Sequence, residues 1–298
     1  MSVRSRGAAG GLLERDHEVS RVDLVLDRVG AAKGAVVVLE GPAGIGESEL
    51  LAVVRADAEA RGFGVLSARG SEFEAEIAFG VARQLFEPML RAASAGERRR
   101  LLGGVARMGA QAVGVAMGEP PADRFAAFHG LYWLLANRAD RGPIVVSVDD
   151  VQWADDPSLA WLGYVARRAE DLAVVLAVAL RSGDPGGERG EVDGLVRAGG
   201  VERLALGPLS AAAVGTIVRA QLDEQADEPF CAACSELTAA TRCSRESWWL
   251  RPARRDWPLE TRACRRCAGS RRRRSGPRYW RGWGGWVLRR WLWRARSR

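Results

Sequence analysis

Residues 36–48 read Val36-Val37-Val38-Leu39-Glu40-Gly41-Pro42-Ala43-Gly44-Ile45-Gly46-Glu47-Ser48, followed by Glu49-Leu50-Leu51. Val36 to Leu39 is a short apolar run, the pattern of a strand buried on both faces, and Glu40-Gly41-Pro42 ends it. From Glu49 to Ala60, Leu50, Leu51, Val53, Val54 and Ala58 recur at helical spacing. Between strand and helix, the glycines let successive backbone N–H groups turn inward around anionic oxygens. The helix N-terminus adds partial positive charge. The spacing G-x-x-x-x-G-x-S is that of a phosphate-binding loop, with Ser48 where a hydroxyl ligates Mg²⁺. The Lys expected before that Ser is replaced by Glu47. Taken alone, the stretch is equally readable as a Gly-rich turn without a ligand.

A second stretch argues for the ligand. Ile144-Val145-Val146-Ser147-Val148 is another buried strand, and Asp149-Asp150 follows at its C-terminal edge. This is a Walker-B pattern: Asp149 is the candidate Mg²⁺ ligand, directly or through water, and Asp150 the candidate base for an attacking water. The alternative is a pair of solvated loop acids. The following Val151-Gln152-Trp153-Ala154-Asp155 weighs against it.

Around these two motifs, strands alternate with helices. Further strands are expected at Phe63–Ala68, Ala173–Leu180 and Val201–Leu206. Helical spacing marks Ala78–Ala93, Glu97–Met108, Asp123–Arg138, Ser158–Glu170 after an Asp155-Asp156-Pro157 start, Ser210–Leu222 with Ser210 as N-cap, and Glu228–Leu237. Asp184–Arg189 reads as a Gly-rich loop. Near-continuous apolar strands between helices predict an α/β fold with a parallel sheet covered on both faces.

The 298-residue chain is 47% hydrophobic and 27% charged, an ordinary globular composition that excludes disorder throughout. No apolar run is long enough for a membrane span, and Met1–Gly11 lacks the apolar core of a signal peptide, so a cytoplasmic location is expected. The net charge of +7 is unevenly placed: residues 239–298 hold 19 Arg against three acids, leaving residues 1–238 net acidic. Eight of the 11 Trp also lie in that tail. Lys33 is the single Lys beside 43 Arg, a sign of GC-rich coding DNA.

Residues 12–238 resemble the ATPase domain of the large ATP-binding LuxR-type transcriptional regulators, a branch of the STAND class of AAA-related P-loop proteins. The resemblance rests on Gly41 to Leu51, on Gly70-Ser71-Glu72 with Phe79 to Pro88, and on Asp149 to Asp155 with Ser158-Leu159. Leu180-Arg181-Ser182-Gly183-Asp184 and Leu206-Gly207-Pro208-Leu209-Ser210 also match. It implies a P-loop NTPase three-layer sandwich at residues 1–206, the start of a helical lid at 207–238, and ATP or ADP with Mg²⁺ as ligands. Gly41, Pro42, Ala43, Gly44, Ile45, Gly46, Glu47, Ser48 and Glu49 would then line the phosphates. The family's sensor position falls on Arg181, which would reach the γ-phosphate or, alternatively, pair with Asp184. The family's Gly-Arg-Glu element near the adenine appears as Glu14-Arg15-Asp16, with only Arg15 kept. Self-association is a further implication, as is DNA binding through a C-terminal helix-turn-helix reader that this reading frame does not encode.

Glu47 is the main departure. A unit charge about 4 Å away at an effective dielectric of 20 is worth about 4 kcal/mol, and replacing Lys by Glu reverses a full unit of charge beside a polyphosphate. Discounted for Mg²⁺ and water, the expected loss is on the order of a thousandfold in affinity, with negligible hydrolysis. Lys33 precedes the first strand, at the wrong end to substitute.

The tail at 239–298 admits three readings. Cys231-Ala-Ala-Cys234 and Cys264-Arg-Arg-Cys267 have the form of a zinc ribbon, though the first pair falls in an expected helix where cysteines pack as small apolar residues. The Arg271–Arg274 run and the Trp/Arg alternation from Tyr279 to Trp293 would suit an arm on nucleic acid or a membrane surface, making the chain a non-catalytic interaction module. The third reading is a frameshift. The family's lid helix continues Glu-Leu-Thr-Gly-Gly-Asn-Pro. Permissible GC-rich codons for Thr238 to Ser244, read two bases later, encode Gly-Gly-Asn-Pro-Leu-Leu. On this reading the tail is out of frame and disordered, and the conflict between body and tail is explained.

Overall fold

The computed structural model describes residues 12–30, 33–121, 123–183, 190–197, 200–221 and 224–238. The tail readings, the Cys264–Cys267 pair and the Asp184–Arg189 loop lie outside these residues.

In chain order the elements are α1 (Asp16–Gly30), β1 (Ala35–Gly41), α2 (Glu47–Ala60), β2 (Gly64–Arg69), α3 (Gly80–Ala92), α4 (Ala95–Leu101), α5 (Ala106–Ala112) and α6 (Arg124–Ala139). There follow β3 (Ile144–Asp149), α7 (Asp156–Ala166), β4 (Val174–Arg181), α8 (Gly190–Val196), β5 (Val201–Ala205), α9 (Ala211–Gln221) and α10 (Glu228–Thr238). The five strands form one sheet in the order β2-β3-β4-β1-β5, and every neighbouring pair is parallel.

Alternation along each inner strand supplies two cores. Val36 and Val38 of β1, with Val146, Val148, Leu176 and Val178, meet α3, α5, α6 and α7. Val37 and Leu39, with Val145, Val175 and Ala177, meet α1 and α2 on the opposite face. Fully burying each such side chain stabilises by about 1.5–3 kcal/mol, so both faces must be covered. This is the expected α/β sandwich of the P-loop type. A third, smaller cluster joins α9 to α10 through Leu209, Val214 and Val218. Cys231 and Cys234 are buried in it, 1% exposed, as small apolar residues. Among the described residues no cluster of three or more His, Cys, Asp and Glu side chains is placed to hold a metal ion.

The structure corrects two expected helices and adds two others. The expected helix Glu97–Met108 is two helices, because Gly103-Gly104 interrupts it and Gly104 adopts φ +58°. Glu97 instead closes a capping box with Ser94 at the start of α4. The helix expected to run to Glu170 ends at Ala166, and a short 3₁₀ turn covers Ala169–Asp171. Two helices stand where no element is expected, α1 and α8. For α1 the signal is present, since Val19, Val22, Val25, Leu26 and Val29 form one apolar stripe. No helix among the described residues is long and apolar enough to cross a membrane.

Candidate functional site

The C-terminal edge of the sheet assembles the site. Main-chain bonds fix where the loop departs: Ser182 N–H donates to the Gly41 carbonyl at 2.8 Å, and Leu206 N–H donates to the Glu40 carbonyl at 2.8 Å. The chain then turns through Pro42–Gly46 into α2. Gly46 precedes the helix at φ +109°, a conformation a side chain would resist. Ala43 and Gly44 face solvent, while Ile45 is buried. The Ile45 side chain packs in the core under Gly41, so only its backbone is available to a ligand.

Ser48 and Asp149, 101 residues apart in sequence, meet here: Ser48 Oγ donates to Asp149 Oδ1 at 2.9 Å. A hydroxyl and a carboxylate oxygen in contact at the head of a phosphate loop suit a hard divalent cation such as Mg²⁺.

Asp150 is 5% exposed and sits in the left-handed region at φ +50°. Both carboxylate oxygens are engaged. Arg181 Nε lies 2.8 Å from Oδ1, Arg69 Nη2 lies 2.7 Å from Oδ2, and Gln152 Nε2 donates to Oδ1 at 3.3 Å. Gln152 Oε1 in turn accepts from the Arg181 N–H at 3.2 Å. Arg181 therefore pairs with Asp150; Asp184 is outside the described residues. Arg69 is absent from the sequence expectations. Its role follows from the pairing of β2 with β3, which sets Arg69 level with Asp149. Its guanidinium is held further above its ordinary range by the Asp150 hydrogen bond.

Arg15 and Glu14 tie the N-terminal segment to the loop and the lid. Arg15 Nη2 donates to the Ile45 carbonyl at 3.2 Å and to the Gly207 carbonyl at 2.6 Å. Glu14 accepts from the backbone N–H and the hydroxyl of Ser210, whose Oγ accepts from Ala213 N–H as the expected cap of α9. Beside them a cavity of about 230 Å³ is lined by Leu12, Leu13, Arg15, Gly46, Leu209 and Ile217 among others, an apolar slot opening at the loop.

Glu47 is the first residue of α2 and is 5% exposed. Burial pushes its carboxyl up to about 7, against the opposing pull of the Glu47 and Gly46 backbone N–H groups and of Arg181. Its Oε1 makes no hydrogen bond. Lys33 is exposed ahead of β1, at the end of the strand opposite the loop, and supplies no cation here. The apolar slot suits a nucleobase and Ser48 with Asp149 suits a metal. The loop does not fit a polyphosphate, because a buried carboxyl stands where the phosphate-binding ammonium belongs.

A parallel sheet ordered 2-3-4-1-5, a Gly-rich loop leading from β1 into α2, and an acid-tipped β3 one strand removed from β1 define a P-loop nucleotide-binding fold. A match to the AAA ATPase domain covers residues 11–178, and the chain belongs to that family. An uncharacterised protein of Rhizobium meliloti is 30% identical over 202 residues, 59% of this chain. The chain spans only 19% of that relative's length. Among solved structures, Aeropyrum pernix ORC1 in complex with DNA has a TM-score of 0.44 at 19% identity, covering 76% of this chain and 56% of that one. The E. coli HORMA:CdnC:Trip13 complex gives 0.42 at 15% identity, covering 76% and 74%.

Proposed function

We propose that this chain is the ATP-binding regulatory switch domain of a LuxR-type transcriptional regulator, with nucleotide binding weakened and hydrolysis negligible because Glu47 replaces the loop Lys. The observation that carries this reading is the pairing of Ser48 with Asp149 at 2.9 Å beneath a loop whose next residue is a buried Glu. The metal position survives; the phosphate position does not.

In this reading the slot beside Arg15 takes the base of ATP or ADP, and Ser48 and Asp149 take Mg²⁺. Asp150 and Arg181 hold the base and sensor positions, yet they neutralise one another, and Arg69 adds a second guanidinium to the same carboxylate. With both oxygens engaged by these side chains, the carboxylate has little room to orient a water, which reinforces the expectation of negligible turnover. Regulation in such switches runs through population shift between open and closed arrangements. The short span on the long relative supports a module within a larger protein, where self-association and DNA binding would belong to segments outside residues 12–238.

Titration of the purified chain with ATP and Mg²⁺ by calorimetry tests the reading. The expected dissociation constant is millimolar or weaker, and micromolar affinity would refute it. Glu47→Lys is expected to tighten binding on the order of a thousandfold, since charge reversal at about 4 Å contributes several kcal/mol even after screening. The frameshift reading of residues 239–298 is tested separately by resequencing the gene around codon 238.

A further inference from the structure

The position of the Glu47 side chain is unexpected for its place in the helix. The residues that follow it, Ser48 and Glu49, are exposed, so a first-turn carboxylate had water within reach. Glu47 instead folds back into the loop and is 5% exposed. A Cβ built on Gly41 would lie 3.5 Å from Glu47 Oε1, which places that oxygen beside the loop's first residue. Burial pushes the carboxyl up, and the backbone N–H groups of Gly46 and Glu47 oppose that push. These are groups of the kind a phosphate-binding loop offers its ligand, and carboxylate and phosphate oxygens are both anionic acceptors. Oε1 is buried without a hydrogen bond, the cost a side chain accepts when its place is set by the rest of the group.

We propose that the Glu47 carboxyl is a resident stand-in for a nucleotide phosphate, filling the cradle and holding Gly44 to Ser48 in the ligand-bound loop shape without nucleotide. This rests on reading the loop as a phosphate cradle, and it goes further than repulsion. Repulsion alone makes charge the whole obstacle. A stand-in excludes phosphate by occupancy as well, and it leaves the loop ordered when no nucleotide is present.

Neutral variants of different size separate the two. Glu47→Gln removes the charge and keeps a side chain of the same shape, whereas Glu47→Ala empties the cradle. The full chain of each is titrated with inorganic pyrophosphate and with ATP, both with Mg²⁺, after thermal melts confirm folding. Amide exchange of Gly44, Gly46 and Ser48 is followed without ligand. Occupancy predicts that Glu47→Ala binds pyrophosphate about tenfold or more tighter than Glu47→Gln, because an intramolecular competitor has been removed. It also predicts faster exchange at Gly46 and Ser48 in the Ala variant, reversed by pyrophosphate. Glu47→Ser repeats the measurement with a second small side chain. Equal gains for Gln and Ala overturn the stand-in and leave charge as the sole obstacle, with the proposed function intact. No gain for Ala or Ser also overturns it. Glu47→Lys then judges the broader reading: binding by Lys alone preserves the cradle, and no binding by any variant removes the cradle as well.

Discussion

Asp155 offers a direct measure of how α7 and α3 are locked together. It is 2% exposed and caps α7, with Oδ1 accepting from Ser158 N–H at 2.9 Å. The same oxygen accepts from Phe79 N–H at 2.7 Å, and Oδ2 accepts from Val81 N–H at 3.1 Å. One carboxylate thus satisfies three backbone donors on two helices, and Ser158 Oγ adds a fourth by accepting from Ala82 N–H at 3.0 Å. Phe79, which precedes α3 at φ +60°, brings no side-chain cap of its own. In Asp155→Ala these buried N–H groups lose a charged acceptor. A lost cap costs roughly 0.5–2 kcal/mol and each stranded buried donor about 1–3 kcal/mol, so with partial relaxation a net loss of about 4 kcal/mol is expected. For a domain of this size each kcal/mol lowers Tm by roughly 2–4 °C, which places the expected drop between about 8 and 16 °C. Asp155→Asn keeps one oxygen for Phe79 and Ser158 and turns an amide against Val81, so it should lose about half as much. Thermal denaturation followed by circular dichroism reads both. A drop of under about 3 °C for the Ala variant, or an Asn variant no better than Ala, would show that the two helices are not held this way.

Three further outcomes follow from other contacts. The Glu47 carboxyl, raised to about 7 in the fold from an ordinary value of 4.5, binds its proton more tightly in the folded state than in the unfolded chain. Its contribution is therefore fully present below about pH 4.5 and lost as pH rises through about 7, so between those values the wild type should lose up to about 3 kcal/mol relative to Glu47→Gln in urea unfolding. A pH-independent difference between the two proteins would contradict this. Gly130→Ala would set a Cβ 2.2 Å from Gly109 N and 2.9 Å from Gly109 Cα, where α5 and α6 touch through their backbones. A loss of about 3 kcal/mol is expected by denaturant melting, and a neutral effect would mean that the helices separate freely. Arg181→Ala should destabilise more than Arg69→Ala, since side-chain exposure is 33% against 64% and both guanidiniums serve the same buried carboxylate. The exposed Arg69 contributes about 1 kcal/mol at most, and equal losses in paired melts would count against the ranking.

Local chemistry makes the loop, the strands and the acid pair legible from the sequence alone. Gly46 must be a residue that tolerates a positive φ, Val36 to Leu39 must be buried on both faces, and Asp155 and Ser210 mark helix starts by capping a backbone N–H three residues on. The substitution at Glu47 is equally plain, because a motif with fixed spacing shows which position has changed. Boundaries were less secure where two causes compete, as at Gly103-Gly104, where glycine breaks a run whose apolar spacing suggests one helix. The company each site residue keeps was decided only by the tertiary structure. Sheet order sets β2 beside β3, and that alone brings Arg69 to Asp150. The pairing of β4 with β1 and β3 sets Arg181, the last residue of β4, at the same carboxylate. The sequence shows that residue 47 is an acid, but whether it points outward to water or back into the loop depends on the backbone N–H groups and desolvation around it. Such contacts join residues far apart in the chain and leave no periodicity to read, which is why folding had to supply them.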